Sequence, residues 1–215
     1  MKAESRSFDR LAAVYGALEW LAFGSGLETA RFWHLESLRG CRRVLILGEG
    51  DGRYLARLVR RFPEMVVKCL DGSAAMLERA AARLTEAERR RVVFLHGDAR
   101  TTEFGAEEFD AVVTLFFLDC FTGADARSVV ERAGRALRPT ARWVWADFAI
   151  PARGWRRRRA ELWVGGLYVF FRWWTGLGAR RLPPSETLLR EAGWTMRLEK
   201  SAQAGLLRSA VYERG

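Results

Sequence analysis

The chain has few of the residues that build metal centres and disulfide frameworks: three cysteines and two histidines in 215 residues. Cys41, Cys69 and Cys120 lie far apart without metal-ligand spacing, and two of them fall in or beside apolar runs. They read as small buried hydrophobes in a reducing cytosol, so neither a bound metal nor a disulfide scaffold is expected. Long apolar runs are also missing. Leu162 to Phe171 passes ten residues without a charge, too short to span a bilayer. Met1 to Phe8 is polar and charged, which argues against a signal peptide and for a cytoplasmic protein. No internal repeat or low-complexity tract interrupts the chain, and its length suits one domain with a small cap. Acidic residues are the minority, leaving a net charge of +10. That excess suits nucleic acid, an anionic membrane or an acidic substrate, or reflects arginine used as the default surface residue.

The stretch with most content is Val44 to Arg53, VLILGEGDGR, an apolar run entering Gly48, Gly50 and Gly52. A buried strand ending in such a turn and opening a helix brings bare backbone against a nucleotide-like ligand. The spacing departs from the dinucleotide fingerprint G-x-G-x-x-G, because the last glycine comes one position early and Arg53 stands where a small residue belongs. Glu49 and Asp51 place two carboxylates in the turn, which would repel a pyrophosphate and suit a cationic ligand. S-adenosylmethionine, with a sulfonium and an ammonium against one carboxylate, fits. About 20 residues on, where an acid that grips ribose hydroxyls belongs, the run Met65 to Leu70 ends in Asp71. Val92 to Leu95 ends in His96-Gly97-Asp98-Ala99, so a second acid is available to an adenine amine.

From Cys41 to Asp147 short apolar runs alternate with amphipathic helices, for example Ala74 to Arg91 with Ser73 as its N-cap. Alternation of that kind implies a parallel sheet with helices on both faces and ligands across the carboxyl ends of the strands. Ahead of it, Phe8 to Leu38 reads as two helices broken at Gly24-Ser25-Gly26. After it come an Arg-rich and aromatic helix, Pro183-Pro184, a helix from Ser185 to Ala192, and strands Trp194 to Lys200 and Leu206 to Glu213.

With these motifs in place the chain resembles the class I S-adenosylmethionine-dependent methyltransferases over nearly its whole length. Phe109 to Leu115 looks like that family's fourth strand, and Arg135 to Pro139 followed by Arg142 to Asp147 like its helix, turn and fifth strand. The opening Phe8 to Tyr15 is similar to the start of the quinone C-methyltransferases. The family often has Asp where this chain has Ile46 and Gly16, which leaves Glu49 or Asp51 as substitutes at the methionine end. The resemblance implies an α/β, Rossmann-like, mostly parallel seven-stranded sheet with an antiparallel last strand and helices on both faces. It implies an N-terminal helical cap over 1–40, a cofactor core over 41–147, a helical lid over 148–182 and a closing helix and hairpin over 183–215. It further implies that Tyr15, Gly48, Glu49, Gly50, Asp71, Gly72, Met76, Asp98, Ala99 and Leu115 hold the cofactor.

On the acceptor side, the loop Phe116 to Phe121 carries Asp119, which reads either as a catalytic base among aromatics or as an N-cap or ion-pair partner. Asp147 is a weaker candidate, and His34 reads as a core or a substrate-facing residue. The loop lacks the Asn/Asp-Pro-Pro-Tyr run of the amino-methylating enzymes of the class, and no proline precedes Cys120 as in its C5-pyrimidine enzymes, so nucleic acid is disfavoured. Trp155 to Trp174 reads as a greasy lid whose arginines suit peripheral membrane contact; the alternative is a helix buried against the sheet or in a homodimer contact. The whole reads as a methyltransferase for a small apolar, aromatic or lipid-like acceptor. Its rival is an RNA-binding or non-catalytic relative that keeps the fold.

Overall fold

The computed structural model describes residues 26–150, 154, 158 and 182–214. Seven strands form one sheet in the order β3-β2-β1-β4-β5-β7-β6. They are β1 (Arg43–Leu47), β2 (Val66–Asp71), β3 (Val92–His96), β4 (Phe109–Leu115), β5 (Leu137–Phe148), β6 (Trp194–Ala202) and β7 (Leu207–Arg214). The first five run parallel, and β7 is antiparallel to both β5 and β6. In β1, Val44 to Leu47 are buried without alternation because both faces are covered. Val44 and Ile46 join Val113 and Val144 in one core, and Leu45 and Leu47 join Val112 and Trp143 in the other.

The described helices are α1 (Gly26–Phe32), α2 (Arg53–Arg61), α3 (Ala74–Ala82), α4 (Glu86–Arg89), α5 (Gly123–Arg135) and α6 (Ser185–Glu191). Leu55 and Leu58 of α2 pack in the first core, Val129 and Val130 of α5 in the second, so helices flank both faces as the alternation requires. Ser73 caps α3 as its sequence position implies, its hydroxyl accepting from the Met76 N–H at 3.2 Å. The expected single helix from Ala74 to Arg91 is two. Thr85 begins a new one with a full capping box, its hydroxyl accepting from Glu88 N–H and the Glu88 carboxylate from Thr85 N–H. At the amino end, the helix that begins at Gly26 stops at Phe32, and Leu35–Leu38 is a 3-10 turn.

Strand order reverses between β1 and β4, since β2 and β3 lie on one side and β5 on the other. A crevice forms at such a switch point, outside the carboxyl ends of the strands. Tyr15 lies outside the described residues, as do most of the expected cap, residues 1–25, and nearly all of the segment Trp155 to Trp174.

Candidate active site

The three glycines of the turn after β1 all have φ between 69 and 86°, and each answers a different neighbour. A Cβ on Gly48 would stand 2.0 Å from the Phe117 ring, and one on Gly52 2.3 Å from the Cα of Ala80 in α3. Those two glycines serve close packing within the protein. Gly50 has nothing within 4 Å of its notional Cβ and is the glycine that leaves open space over the turn. Its N–H donates to Asp71 Oδ2 at 3.1 Å, and Ser73 N–H donates to Asp71 Oδ1 at 2.9 Å. The carboxylate at the end of β2 is thereby aimed across the turn, with acceptor capacity remaining on both oxygens. Burial raises the Asp71 carboxyl, opposed by the N–H groups of Ser73 and Gly50.

The two acids of the turn differ. Asp51 is gripped by Arg53 at 3.0 Å and Arg83 at 2.8 Å, and though burial would raise its carboxyl these guanidiniums hold it below its ordinary value. Glu49 Oε1 accepts from the Leu55 N–H at 2.9 Å in the first turn of α2. Burial pushes Glu49 to about 8, against the lowering effect of Leu55 and of Arg31. Glu49 and Arg31 line one cleft with Ile46, Leu47, Gly48, Asp51, Tyr54 and Leu115, at the β1/β4 switch point. Ile46, where the family often has Asp, is a core residue only 2% exposed.

The remaining expected cofactor residues sit along the same edge. Gly72 follows β2 and receives a contact from His96 Nε2 to its carbonyl oxygen at 3.1 Å. Met76 is buried in the first turn of α3, Ala99 is buried after β3, and Leu115 closes β4. Asp98 spends both oxygens on Arg100, with Nη2 to Oδ2 at 2.6 Å, and that hydrogen-bonded guanidinium holds its carboxyl below the ordinary value. An adenine amine at Asp98 would share the carboxylate with this arginine.

Beyond β4 the backbone turns sharply at Phe116, whose φ of 54° is rare for a bulky residue. Strained backbone of this kind is concentrated at functional sites. Phe116 packs on Phe148 at 5.3 Å between ring centroids, and Phe117 meets Phe121 edge-on at 5.0 Å. Among these rings Asp119 sits in a short 3-10 turn, Leu118–Cys120, its Oδ1 3.6 Å from Cys120 Sγ. Burial raises Asp119 to about 6. Asp147 is the penultimate residue of β5, one past Ala146, which pairs with Leu115 of β4. Its Oδ2 accepts from Trp145 Nε1 at 2.7 Å and from Ser185 Oγ at 3.4 Å, whereas Oδ1 is buried with no hydrogen-bond partner among the described residues. Burial and the neighbouring Asp119 charge raise Asp147 well above its ordinary value. The two acids are therefore an electrostatic pair, in which the charge of Asp119 disfavours ionisation of Asp147.

His34 is 4% exposed, with Nε2 3.2 Å from the Ser209 carbonyl oxygen, and burial lowers its pKa. It is a core histidine. Much of the positive charge is locally matched, as in Arg60–Glu88, Arg61–Glu36, Arg127–Glu191 and Arg197–Glu213. The residue that sequence reading passed over is Arg31. Its signal was a charge placed i+4 from Leu27, on the apolar face that seats α1.

A family profile described as a methyltransferase domain matches residues 44–140. The demethylmenaquinone methyltransferase of Thermotoga maritima is 30% identical over 172 residues, covering 79% of this chain and 69% of that protein. That of Roseiflexus castenholzii is 29% identical over 219 residues, covering 90% and 87%. Among solved structures, a mitomycin 7-O-methyltransferase superposes with a TM-score of 0.67 at 20% identity over 97% of this chain, which spans 60% of that longer protein. A Burkholderia thailandensis 1,6-didemethyltoxoflavin-N1-methyltransferase with bound S-adenosylhomocysteine gives a TM-score of 0.66 at 18% identity, covering 99% and 88%. The glycine turn, the aimed acid after β2, the strand order and these relatives together establish that the chain belongs to the class I S-adenosylmethionine-dependent methyltransferases, related to the quinone-pathway enzymes among them.

Proposed function

We propose that the protein transfers a methyl group from S-adenosylmethionine to a small apolar acceptor with an aromatic, quinol-like ring. The observation that carries the acceptor class is the acid pair Asp119–Asp147 set among Phe116, Phe117, Phe121 and Phe148 at the carboxyl ends of β4 and β5. The names of the demethylmenaquinone methyltransferase relatives support the same class.

The cleft residues suit the methyl donor. Asp71 retains acceptor capacity for two ribose hydroxyls, Gly50 leaves room beside it, and Glu49 offers a carboxyl to an ammonium. Met76, Ala99 and Leu115 supply apolar surface along the same edge, Gly48 a close-packed turn, and Gly72 an exposed position just past β2. When bound, the cofactor supplies an electrophilic methyl group, so the protein's work is to align the acceptor and relieve it of a proton.

Asp119 does the second. Raised to about 6, it is ionised at neutral pH yet basic enough to accept a proton from a ring hydroxyl or an activated ring carbon. Asp147, whose ionisation burial and the Asp119 charge disfavour, is held in place by hydrogen bonds from Trp145 and Ser185. The aromatic side chains around the pair exclude water and offer the ring faces on which a planar acceptor stacks. The segment Trp155 to Trp174, rich in large aromatics, is proposed as the further wall of this pocket and as the part that meets a membrane when the acceptor is lipid-borne.

Replacing Asp119 by Asn tests the assignment. Cofactor affinity should persist while turnover of an aromatic acceptor such as demethylmenaquinol falls by about a hundredfold or more. Full turnover in Asp119→Asn would leave the acid without a chemical role.

A further inference from the structure

Asp147 is 1% exposed, and its two carboxyl oxygens have unequal surroundings. Oδ2 accepts from Trp145 Nε1 and Ser185 Oγ, whereas Oδ1, also buried, has no hydrogen-bond partner among the described residues. Both donors are themselves fixed. The Trp145 carbonyl oxygen accepts from Ser209 Oγ of β7 at 2.9 Å, and Ser185 is a buried residue opening α6, its N–H donating to the Pro183 carbonyl oxygen at 2.8 Å. Across the β5–β7 ladder the residue opposite Asp147 is Arg208, but its guanidinium is taken by Glu186 and Glu199. The carboxyl is thus held in one orientation with no cation to neutralise it. A buried oxygen left bare is costly, so Oδ1 calls for a partner.

The loop after β4 supplies one. The Phe116 N–H donates to the Ala146 carbonyl oxygen at 2.6 Å, and the positive φ of Phe116 then turns the chain over the end of β5. Phe117 packs its ring on Gly48 and Phe116 its ring on Phe148, which pins the turn Leu118–Cys120 from both sides. Asp119 comes within electrostatic reach of Asp147 and, unlike it, keeps part of its surface accessible. Two ionised carboxylates only accept, so they cannot bond to each other. With one proton between them they can, and burial and the Asp119 charge make Asp147 the acid that keeps it. The other titratable groups here are Cys120, raised by burial and by both acids, and Arg31, which favours ionised Asp119. Asp71 acts on Cys120, and Tyr212, raised by burial, lies on the Asp147 side. We propose that Asp147 is a positioning residue for methyl transfer: it donates from Oδ1 to the Asp119 carboxylate, so that the two acids hold one proton between them and the accessible one stays ionised toward the acceptor. The inference rests on the reading of Asp119 as the base. Asp119 takes the proton that the acceptor loses as its bond to the methyl carbon forms and the sulfur–methyl electron pair stays on sulfur, and the pair passes from one negative charge to none.

Carbon-13 NMR of the full chain labelled at its aspartate carboxyl carbons tests the pair without an acceptor, Asp119→Asn and Asp147→Asn assigning the two signals. At pH 7 the Asp147 signal of the unsubstituted protein should be that of a protonated carboxyl and the Asp119 signal that of a carboxylate. An ionised Asp147 at pH 7 would overturn the proposal, and this reading decides even where Asp147→Ala does not fold. Removing the donor gives a shift whose sign discriminates. A hydrogen bond donated to a carboxylate favours its ionised form, so Asp147→Ala should raise the Asp119 titration by about one unit or more, and Asp147→Asn, whose amide still donates, should bring it back. A downward shift would show that Asp147 is a second negative charge, and no shift that it only packs; either overturns the proposal. With an aromatic acceptor, turnover should fall about tenfold or more in Asp147→Ala at unchanged KM, and recover in Asp147→Asn. Full turnover in Asp119→Asn would sink the reading of Asp119 as the base. Loss of turnover there, with the Asp119 titration unmoved in Asp147→Ala, would sink the pair alone.

Discussion

Binding of the cofactor should release a proton, and Glu49 is the group that loses it. Burial raises its carboxyl to about 8, so at pH 7 roughly nine in ten copies of the free protein carry the proton. An ammonium placed beside that carboxyl favours the ionised form. At about 4 Å and an effective dielectric near 20 the attraction is about 4 kcal/mol, enough to lower the pKa by about three units. The complexed group would then titrate near 5, and the proton must leave on binding. The direction is fixed by the raised value in the free protein. Affinity should climb about tenfold from pH 6 to pH 7 and level off above about 8. Calorimetric titration with S-adenosylhomocysteine at pH 7, repeated in buffers of different ionisation enthalpy, reads the proton count directly, and about 0.9 proton per ligand is expected. Glu49→Gln should abolish most of that release. No buffer dependence in the unsubstituted protein, or the same release from Glu49→Gln, would refute the reasoning.

Two further outcomes follow from the same edge of the sheet. Asp71→Ala removes an acceptor that Gly50 and Ser73 hold in place, and should weaken cofactor binding by about 1.5 to 3 kcal/mol, tenfold or more by calorimetry. Gly52→Ala should cost about 2 kcal/mol or more of unfolding free energy in denaturant melts, because a Cβ there meets the backbone of Ala80 at 2.3 Å, whereas Gly50→Ala, with open space around it, should cost only the strain of its positive φ, about 1 kcal/mol. An equal loss at the two positions would show that φ alone governs the turn.

The sheet was legible in the sequence because its signals are local. The unbroken apolar run Val44–Leu47 and the mostly apolar Phe109–Leu115, each followed by a turn, specify strands covered on both faces, while Asp71 ends β2 and Asp98 lies two residues past β3. The break between α3 and α4 was also written locally, as Thr85 with Glu88 three residues on, but the helical periodicity running through it hides the cap. What the sequence could not display is spacing that exists only after folding. Asp119 and Asp147 are 28 residues apart in the chain and become a pair through the register of β4 on β5. Arg31 enters the cleft because α1 docks on α2, a packing event with no motif of its own. Asp98 carries the expected spacing, yet its carboxylate is shared with Arg100 two residues on, a contact that spacing arguments do not weigh.

The central claim is that this is a methyltransferase for a small apolar acceptor, and methyl-labelled S-adenosylmethionine tests it most directly. Purified protein is incubated with tritiated cofactor and either demethylmenaquinol in detergent or bulk RNA, and the label is partitioned between organic, nucleic-acid and aqueous fractions. The account predicts cofactor-dependent label in the organic fraction, lost in Asp119→Asn, and none above background in RNA. Label in RNA, or no transfer to a panel of aromatic and quinol acceptors by a protein that binds the cofactor, would contradict it.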